Sequence, residues 1–180
     1  LLPGSRGHEI KNMLPTMYKV SKEFPEYNTI VVGAPNFDSN FYENLIGKTP
    51  SIHFGNTYEV LNKATAALVT SGTATLETGL FKVPQVVCYK FNWLSYLIGK
   101  MVIKVKYISL VNLILDKLAI KELIQYDFTF DNTKKALSEI LTGKEREKIL
   151  SDYSTLLEKV GGPGATEKAA KLMVERIKSA

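Results

Sequence analysis

A chain of 180 residues can form one domain with a complete hydrophobic core, without help from disulfides or a structural metal. Its single cysteine excludes an internal disulfide, and the two histidines are too scattered to suggest a metal-binding motif. The formal net charge of +5 favours anionic partners, although a mildly basic surface explains it equally well, and no interleaved aromatic and basic pattern indicates nucleic-acid binding.

Elements in the first half of the chain alternate between strand and helix. Leu1 and Leu2 are typical of the end of a buried strand, and because most of that strand is missing we expect the chain to begin inside a larger protein. The apolar patterns then predict strands at 28–33, 50–54, 66–70 and 84–89, and helices at 7–23, 38–47, 57–63 and 73–81, the first of them kinked or shortened at Pro15. This alternation predicts an α/β fold with a Rossmann-like parallel sheet flanked by helices.

The second half of the chain is predicted to be mainly helical. The segment 91–112 mixes apolar and aromatic residues with lysines and carries no acid; we favour a packed helix, and contact with an anionic lipid surface is the alternative. Amphipathic patterns predict helices at 116–125, 132–142 and 145–160, a break at 161–164 and a closing helix at 165–178. No stretch reaches the roughly 18 apolar residues of a membrane span and no signal peptide is visible, so we expect a cytoplasmic location.

Two glycine-containing turns stand directly before predicted helices, and they are the strongest functional signal. The first is Gly4-Ser5-Arg6, and the second is Ser71-Gly72-Thr73-Ala74. A helix start presents unpaired N–H groups and a positive dipole end, which suits a phosphate. Either turn alone is explained by ordinary helix capping, but the two together at the ends of strands of one sheet favour a phosphate cradle. With Arg6 as a cation and Glu77 one turn into the second helix, the cradle could hold a diphosphate and a sugar hydroxyl.

Other polar residues give weaker signals. Asn112 stands in an apolar setting, where its amide needs partners; either a ligand cleft or the loop backbone could supply them. His8 and His53 have no evident catalytic partner, and Cys88 lies in an apolar strand that favours a buried, inert thiol. The absence of a P-loop signature and of G-x-G-x-x-G disfavours nucleoside triphosphatases and dinucleotide enzymes.

Three separated motifs resemble the lipid-A-disaccharide synthase family, in the same order and at similar spacing along nearly the whole chain. They are Leu2-Pro3-Gly4-Ser5-Arg6 with Glu9-Ile10, Ser71-Gly72-Thr73-Ala74-Thr75-Leu76-Glu77, and Tyr107-Ile108-Ser109-Leu110-Val111-Asn112-Leu113-Ile114 with Lys121-Glu122-Leu123-Ile124-Gln125. The resemblance implies the C-terminal, donor-binding half of an inverting glycosyltransferase of GT-B architecture, with additional C-terminal helices. Residues 1–180 would then be a single UDP-sugar-binding domain, and the acceptor domain and general base would lie outside this chain.

The reaction implied by the resemblance is transfer of 2,3-diacylglucosamine from its UDP conjugate to 2,3-diacylglucosamine 1-phosphate, which releases UDP and forms the lipid A disaccharide. The implied partners are therefore UDP-2,3-diacylglucosamine, UDP and an anionic lipid acceptor, without a metal, a cofactor or nucleic acid. The resemblance also implies a peripheral position at the inner face of the bacterial inner membrane and allows a homodimer.

Specific roles follow from the same resemblance. Arg6 and Asn112 would stabilise the leaving group, and Gly4, Ser5, Ser71, Gly72, Thr73 and Ala74 would bind the diphosphate with Arg6. Glu77 would accept hydrogen bonds from the uridine ribose, the backbone around Phe54 and Gly55 would contact the uracil edge, and Gln125 would line the cleft. The chain departs from the family at Val111 and Lys121, where proline is common, and both changes loosen the loop backbone.

Two alternatives remain open at the level of the sequence. One is another UDP-sugar enzyme, such as a UDP-N-acetylglucosamine epimerase or a different N-acetylglucosaminyltransferase, although the third motif counts against it. The other is a non-catalytic nucleotide-binding subunit. Under the favoured hypothesis, a donor-binding half of such a synthase, we expect the 180 residues alone to bind UDP but not to catalyse transfer.

Overall fold

The computed structural model describes residues 1–47, 51–90, 106–161 and 164–178, through which a parallel β-sheet runs. Its strands are β1 (Val31–Gly33), β2 (Ile52–Phe54), β3 (Ala67–Thr70), β4 (Gln85–Tyr89) and β5 (Lys121–Ile124). Strand β1 pairs with β2, β4 lies between β3 and β5, and each of these pairings is parallel. The predicted Rossmann-like α/β class is therefore confirmed.

The opening residues of the chain join these two groups of strands. The Leu1 carbonyl accepts from the N–H of Val32 at 2.9 Å, while the Leu2 N–H donates to the Leu68 carbonyl at 2.9 Å and the Leu2 carbonyl accepts from Thr70 at 2.8 Å. The order across the described sheet is therefore β2, β1, the opening residues, β3, β4 and β5. Numbered along the chain this is 3-2-1-4-5-6, the order of doubly wound nucleotide-binding folds.

Helices cover both faces of the sheet. They are α1 (Gly7–Ser21), α2 (Ser39–Ile46), α3 (Thr57–Lys63), α4 (Thr73–Leu80), α5 (Leu110–Leu115), α6 (Phe130–Leu141), α7 (Lys144–Val160) and α8 (Ala165–Lys178). Alternate residues of β3 enter different apolar clusters: Leu68 packs with α1 and α6, whereas Ala67 and Val69 pack with α3. Helix α1 continues through Pro15 to Ser21, so the proline does not end it.

The predicted helix at 116–125 is wrong. Helix α5 ends at Leu115, before Asp116 in the left-handed region with φ of 51°, and residues 121–124 form β5. The apolar positions of this short stretch fit both the helical and the strand periodicity. Pairing with β4 favours a strand, because it satisfies backbone groups of both strands. The helices predicted at 132–142, 145–160 and 165–178 are confirmed as α6, α7 and α8.

Two further predictions concern burial and membranes. Cys88 is fully buried, as predicted, and burial raises the pKa of its thiol. Within the ranges described, none of the helices is both long and apolar enough to cross a bilayer. The segment 91–112 is predicted to be a packed helix or to contact lipid. Its residues 91–105 lie outside the described residues.

A buried polar network fixes helix α4 from behind. The Gln85 side-chain amide donates to the Thr75 carbonyl at 2.9 Å and to the Tyr153 hydroxyl at 3.0 Å, and that hydroxyl donates to the Val83 carbonyl at 3.1 Å. These residues are buried, and a buried polar group without a hydrogen-bond partner lowers stability. The start of α4 is thereby held at a defined position above the sheet.

Candidate functional site

The two glycine turns meet at one edge of the sheet. Leu2 pairs in parallel with Val69, so the turns that begin at Gly4 and at Ser71 leave neighbouring strands in the same direction. Neighbouring strands are about 5 Å apart. This is also the point at which the strand order reverses, where ligands of open parallel sheets bind beyond the carboxyl ends of the strands. The structure thus brings the two predicted phosphate-binding turns together.

The first turn is held by a carboxylate. Glu9 is buried, and its Oε2 accepts from the backbone N–H groups of Ser5 and Arg6, both at 3.3 Å. Gly4 has φ of +105°, and a Cβ there would lie 2.7 Å from that oxygen, so only glycine fits. Because Glu9 occupies the Ser5 and Arg6 amides, the next N–H groups along α1, those of Gly7 and His8, are the ones without an acceptor in the part of the chain described.

Arg6 extends from this turn towards solvent. Its guanidinium lies 3.2 Å from Glu9 Oε1, and its side chain is 72% exposed. An exposed pair of this kind adds little stability, but it orients the guanidinium at the mouth of the site. Arg6 is therefore available to a ligand while being tethered at one nitrogen.

The second turn has an open front. Gly72 is the N-cap of α4 with φ of +153°, and no heavy atom of the described residues lies within 4 Å of the position that a Cβ would take. Thr73 and Ala74 begin the helix, and their N–H groups have no acceptor among the described residues. Directly before the turn, the Thr70 hydroxyl is buried and lacks a described partner. Unsatisfied donors of this kind suit an anion.

Glu77 and Tyr89 are the polar groups next to these turns. Glu77 is half-buried one helical turn into α4, and its carboxylate has no partner within the described ranges. Tyr89 ends β4 and directly follows Cys88, which is in register with Thr70 at the end of β3. Burial raises the pKa of Tyr89, nearby Glu9 raises it further, and Arg6 opposes both. Sequence reasoning did not assign Tyr89 or Glu9 to the site. The available signals were the position of Tyr89 at the end of a buried strand, and for Glu9 its place in the first motif, three residues after Arg6.

The remaining predicted nucleotide contacts lie further along the same edge. Phe54 ends β2, stacks edge-to-face on Tyr42 with ring centroids 5.8 Å apart, and is 39% exposed. Gly55 follows it with φ of +91°, and Gln125 follows β5 with φ of +52°. One strand separates Phe54 from the turn at Gly4, and one strand separates Gln125 from the turn at Ser71. These residues share the edge with the turns, and their contacts with a nucleotide stay predictions.

Ser71 is engaged by a third segment. Its hydroxyl donates to the Ile108 carbonyl at 2.9 Å, and the Leu110 N–H donates to the Thr75 hydroxyl at 3.3 Å. Residues 108–110 therefore lie against the start of α4. The side chain of Ser71 is used to hold that segment, so its contribution to a ligand comes from the backbone.

Asn112 is built into the protein interior. Its Nδ2 donates to the Ile120 carbonyl at 2.9 Å and to Glu122 at 2.8 Å, and its Oδ1 accepts from Ala119 at 2.9 Å and Ile120 at 3.0 Å. The residue is 0% exposed, and both atoms of the amide are satisfied. This geometry favours the alternative in which Asn112 serves the loop backbone, and its direct contact with a leaving group stays a prediction.

No group of three or more potential metal-ligating side chains occurs within the described ranges. Among the described residues, the groups available at the turns include backbone N–H groups, the Arg6 guanidinium, the Thr70 hydroxyl and the Glu77 carboxylate. Groups of these types are suited to a diphosphate and a sugar hydroxyl.

Comparison with known proteins points to a single family. A model of the family described as lipid-A-disaccharide synthetase matches residues 1–176. Curated proteins named lipid-A-disaccharide synthase are 38% identical in Syntrophus aciditrophicus, 33% in Myxococcus xanthus and 36% in Psychromonas ingrahamii. The alignments cover 99%, 98% and 97% of this chain and 49%, 48% and 48% of the respective relatives. The chain therefore spans about half the length of the curated relatives it matches.

Replacement of Asn112 by Ala tests whether the residue stabilises the loop or contacts the leaving group. The change leaves buried backbone groups at Ala119 and Ile120 without partners, and we expect the free energy of unfolding to fall by about 3 kcal/mol. Urea unfolding of the full-length protein, followed by circular dichroism, measures this. Asn132→Ala is the matched control, since Asn132 is exposed and makes one side-chain bond, at 3.0 Å to Asp127. Unchanged stability with lost transferase activity would instead support the predicted direct contact.

Proposed function

This chain belongs to the lipid-A-disaccharide synthetase family, and we propose that it forms the donor-binding part of a glycosyltransferase of lipid A biosynthesis. The whole protein would transfer 2,3-diacylglucosamine from its UDP conjugate to 2,3-diacylglucosamine 1-phosphate and release UDP. Family membership counts against the alternative of a UDP-N-acetylglucosamine epimerase. The acceptor pocket and the general base of the proposed reaction belong to parts of the protein outside residues 1–180.

The observation that carries this proposal is the meeting of two helix starts and one arginine at the reversal point of the sheet. As the anomeric C–O bond of the donor breaks, negative charge grows on the diphosphate. Fixed dipoles and a cation stabilise that charge without having to reorganise. In the proposed complex the N–H groups of Thr73 and Ala74 on one side and of Gly7 on the other face the diphosphate, and Arg6 closes the front.

Arg6 is proposed to act on the leaving group. Its exposed guanidinium can turn from Glu9 towards an incoming diphosphate, which offers more acceptor atoms and more charge than one carboxylate. Because the charge on the diphosphate increases during bond breaking, the contact is stronger in the transition state than in the ground state. Such a contact contributes to turnover as well as to binding.

Glu77 is proposed to bind the ribose of the donor. A carboxylate without a described partner, one turn behind the amides that face the phosphates, is placed to accept two hydroxyl donors. The uracil would then extend along the edge of the sheet towards Phe54 and Gly55 at the end of β2, which lies about three strand spacings from β3. We also propose a peripheral location at the inner membrane face, because both proposed substrates carry acyl chains; a homodimer stays a prediction.

Nucleotide binding is the most direct test of the proposal. Calorimetric titration of the full-length protein with UDP, UMP and ADP should give tightest binding for UDP, equally with magnesium and with EDTA, because backbone dipoles and Arg6 replace a metal. Equal affinity for UMP and UDP would contradict the proposed diphosphate site. Equal affinity for ADP and UDP would contradict the proposed uracil contact.

Arg6→Ala should lower kcat of the full-length protein by about a hundredfold, since a charge-assisted contact that strengthens in the transition state is lost. Steady-state assay of UDP release measures this, with circular dichroism to verify the fold. Lys11→Ala removes a cation from the exposed side of the same helix and should leave the rate near that of the wild type. A near-wild-type rate for Arg6→Ala would exclude Arg6 from the mechanism.

Glu77→Gln should raise Kd for UDP by about tenfold and lower kcat at saturating donor much less, since the ribose contact changes little during bond breaking. The matched ligand is 2′,3′-dideoxy-UDP, which lacks both proposed hydroxyl donors. The wild type should discriminate between the two nucleotides, and the variant should bind them nearly alike. If the variant still preferred UDP over 2′,3′-dideoxy-UDP as strongly as the wild type, another group would have to bind the ribose hydroxyls.

A further inference from the structure

We propose that Glu122 is a positioning residue for the donor site. Its carboxylate holds residues 108–112 against the Ser71–Gly72 turn and thereby fixes the N–H groups at the start of α4. This inference rests on the proposed donor-binding function of that turn. In this proposal Glu122 does not contact the ligand, because residues 108–112 lie between it and the turn.

Glu122 accepts four hydrogen bonds from one short segment. Its Oε2 accepts from the Ile108 N–H at 3.0 Å, and its Oε1 accepts from the Ser109 N–H at 3.0 Å, the Ser109 hydroxyl at 2.7 Å and Asn112 Nδ2 at 2.8 Å. Ser109 and Asn112 are both 0% exposed, so water cannot replace the carboxylate. Hydrogen bonds to an ionised acceptor are the stronger class, and here they converge on one side chain.

The segment held by Glu122 contacts the donor turn at two points. Ile108 uses its N–H for Glu122 and its carbonyl for the Ser71 hydroxyl, at 2.9 Å. The Leu110 N–H donates to the Thr75 hydroxyl at 3.3 Å, and that hydroxyl donates to the Gly72 carbonyl at 2.8 Å. The backbone of residues 108–110 and the hydrogen bonds at its two sides therefore connect Glu122 to Ser71 and Gly72.

The base of this path belongs to the sheet, and its far end is an exposed glycine turn. Glu122 lies within β5, in register with Val87 of the buried strand β4. Gly72 is exposed and has φ of +153°, and none of the described residues lies within 4 Å of the position that a Cβ would take. Glycine has many accessible conformations, so the direction of the amides that follow depends on what restrains the turn. The segment 108–112 supplies that restraint, and Glu122 supplies its anchor.

Glu122→Gln tests the anchor with almost no change in shape. It replaces one oxygen by an NH₂ donor, which in either orientation faces N–H or O–H groups, so at least one bond is lost. In the full-length protein we expect Kd for UDP to rise about tenfold, and amide hydrogen exchange without ligand to increase in peptides covering both 108–112 and 71–74. Glu139→Gln is the matched control, because it makes the same change at an exposed residue of α6 and should match the wild type.

A double-mutant cycle distinguishes positioning from plain stabilisation. Ser71→Ala cuts the same path at its other end, so its effect on Kd for UDP should not add to that of Glu122→Gln. Additive effects, or faster exchange confined to 108–112 with unchanged Kd, would overturn the proposal. Should Glu122→Gln fail to fold, Glu122→Asp replaces it, since it keeps the charge but shortens the reach by one methylene.

The failure of this inference is distinguishable from failure of the proposed function. If the wild type does not bind UDP, the donor-binding proposal fails. Hydrogen exchange in the ligand-free protein still decides whether Glu122 restrains residues 71–74. If the wild type binds UDP and Glu122→Gln binds equally well, the donor-binding proposal stands and the positioning role is excluded.

Discussion

The parallel pairing of Leu2 with Val69 is the constraint on which the candidate site depends. It inserts the opening residues between β1 and β3 and so creates the point where the strand order reverses. Without this pairing, Gly4 and Gly72 would belong to two unrelated helix starts, each explained by capping alone. With it, two helix starts with unpaired N–H groups follow the ends of neighbouring strands, and helix starts that lie close together reinforce each other's positive potential.

Carboxylates restrain both turns, although they carry the same charge as the proposed ligand. Glu9 accepts from the backbone of the first turn, and Glu122 accepts from the segment that restrains the second. Each carboxylate is saturated with protein donors, which offsets its charge and keeps the oxygens turned inward. In the proposed function these restrained turns present pre-organised N–H donors, and Arg6 and Glu77 are the side chains that contact the nucleotide.

The helices and most strands were predictable because their signals are local. Apolar periodicity and turn residues located β1, β3, β4 and α4, and helix-capping chemistry located both glycine turns. The stretch 116–125 was assigned wrongly because a short apolar run does not distinguish a helix from an edge strand. The partners of Asn112 were equally unpredictable, since they come from residues 119–122, whose position against Asn112 accompanies the pairing of β5 with β4.

By itself the sequence determined the fold class, the family and the two turns, because periodicity, glycine placement and motif spacing are properties of neighbouring residues. Only the tertiary structure decided which donors are free. It assigned the Ser71 hydroxyl to Ile108 and the Asn112 amide to the loop. Each of these groups is a plausible ligand contact in the sequence, and each is taken by a partner that only the folded chain brings within about 3 Å. Satisfaction of buried polar groups is a property of the whole fold, and for that reason it separates residues that build the site from residues that can meet a ligand.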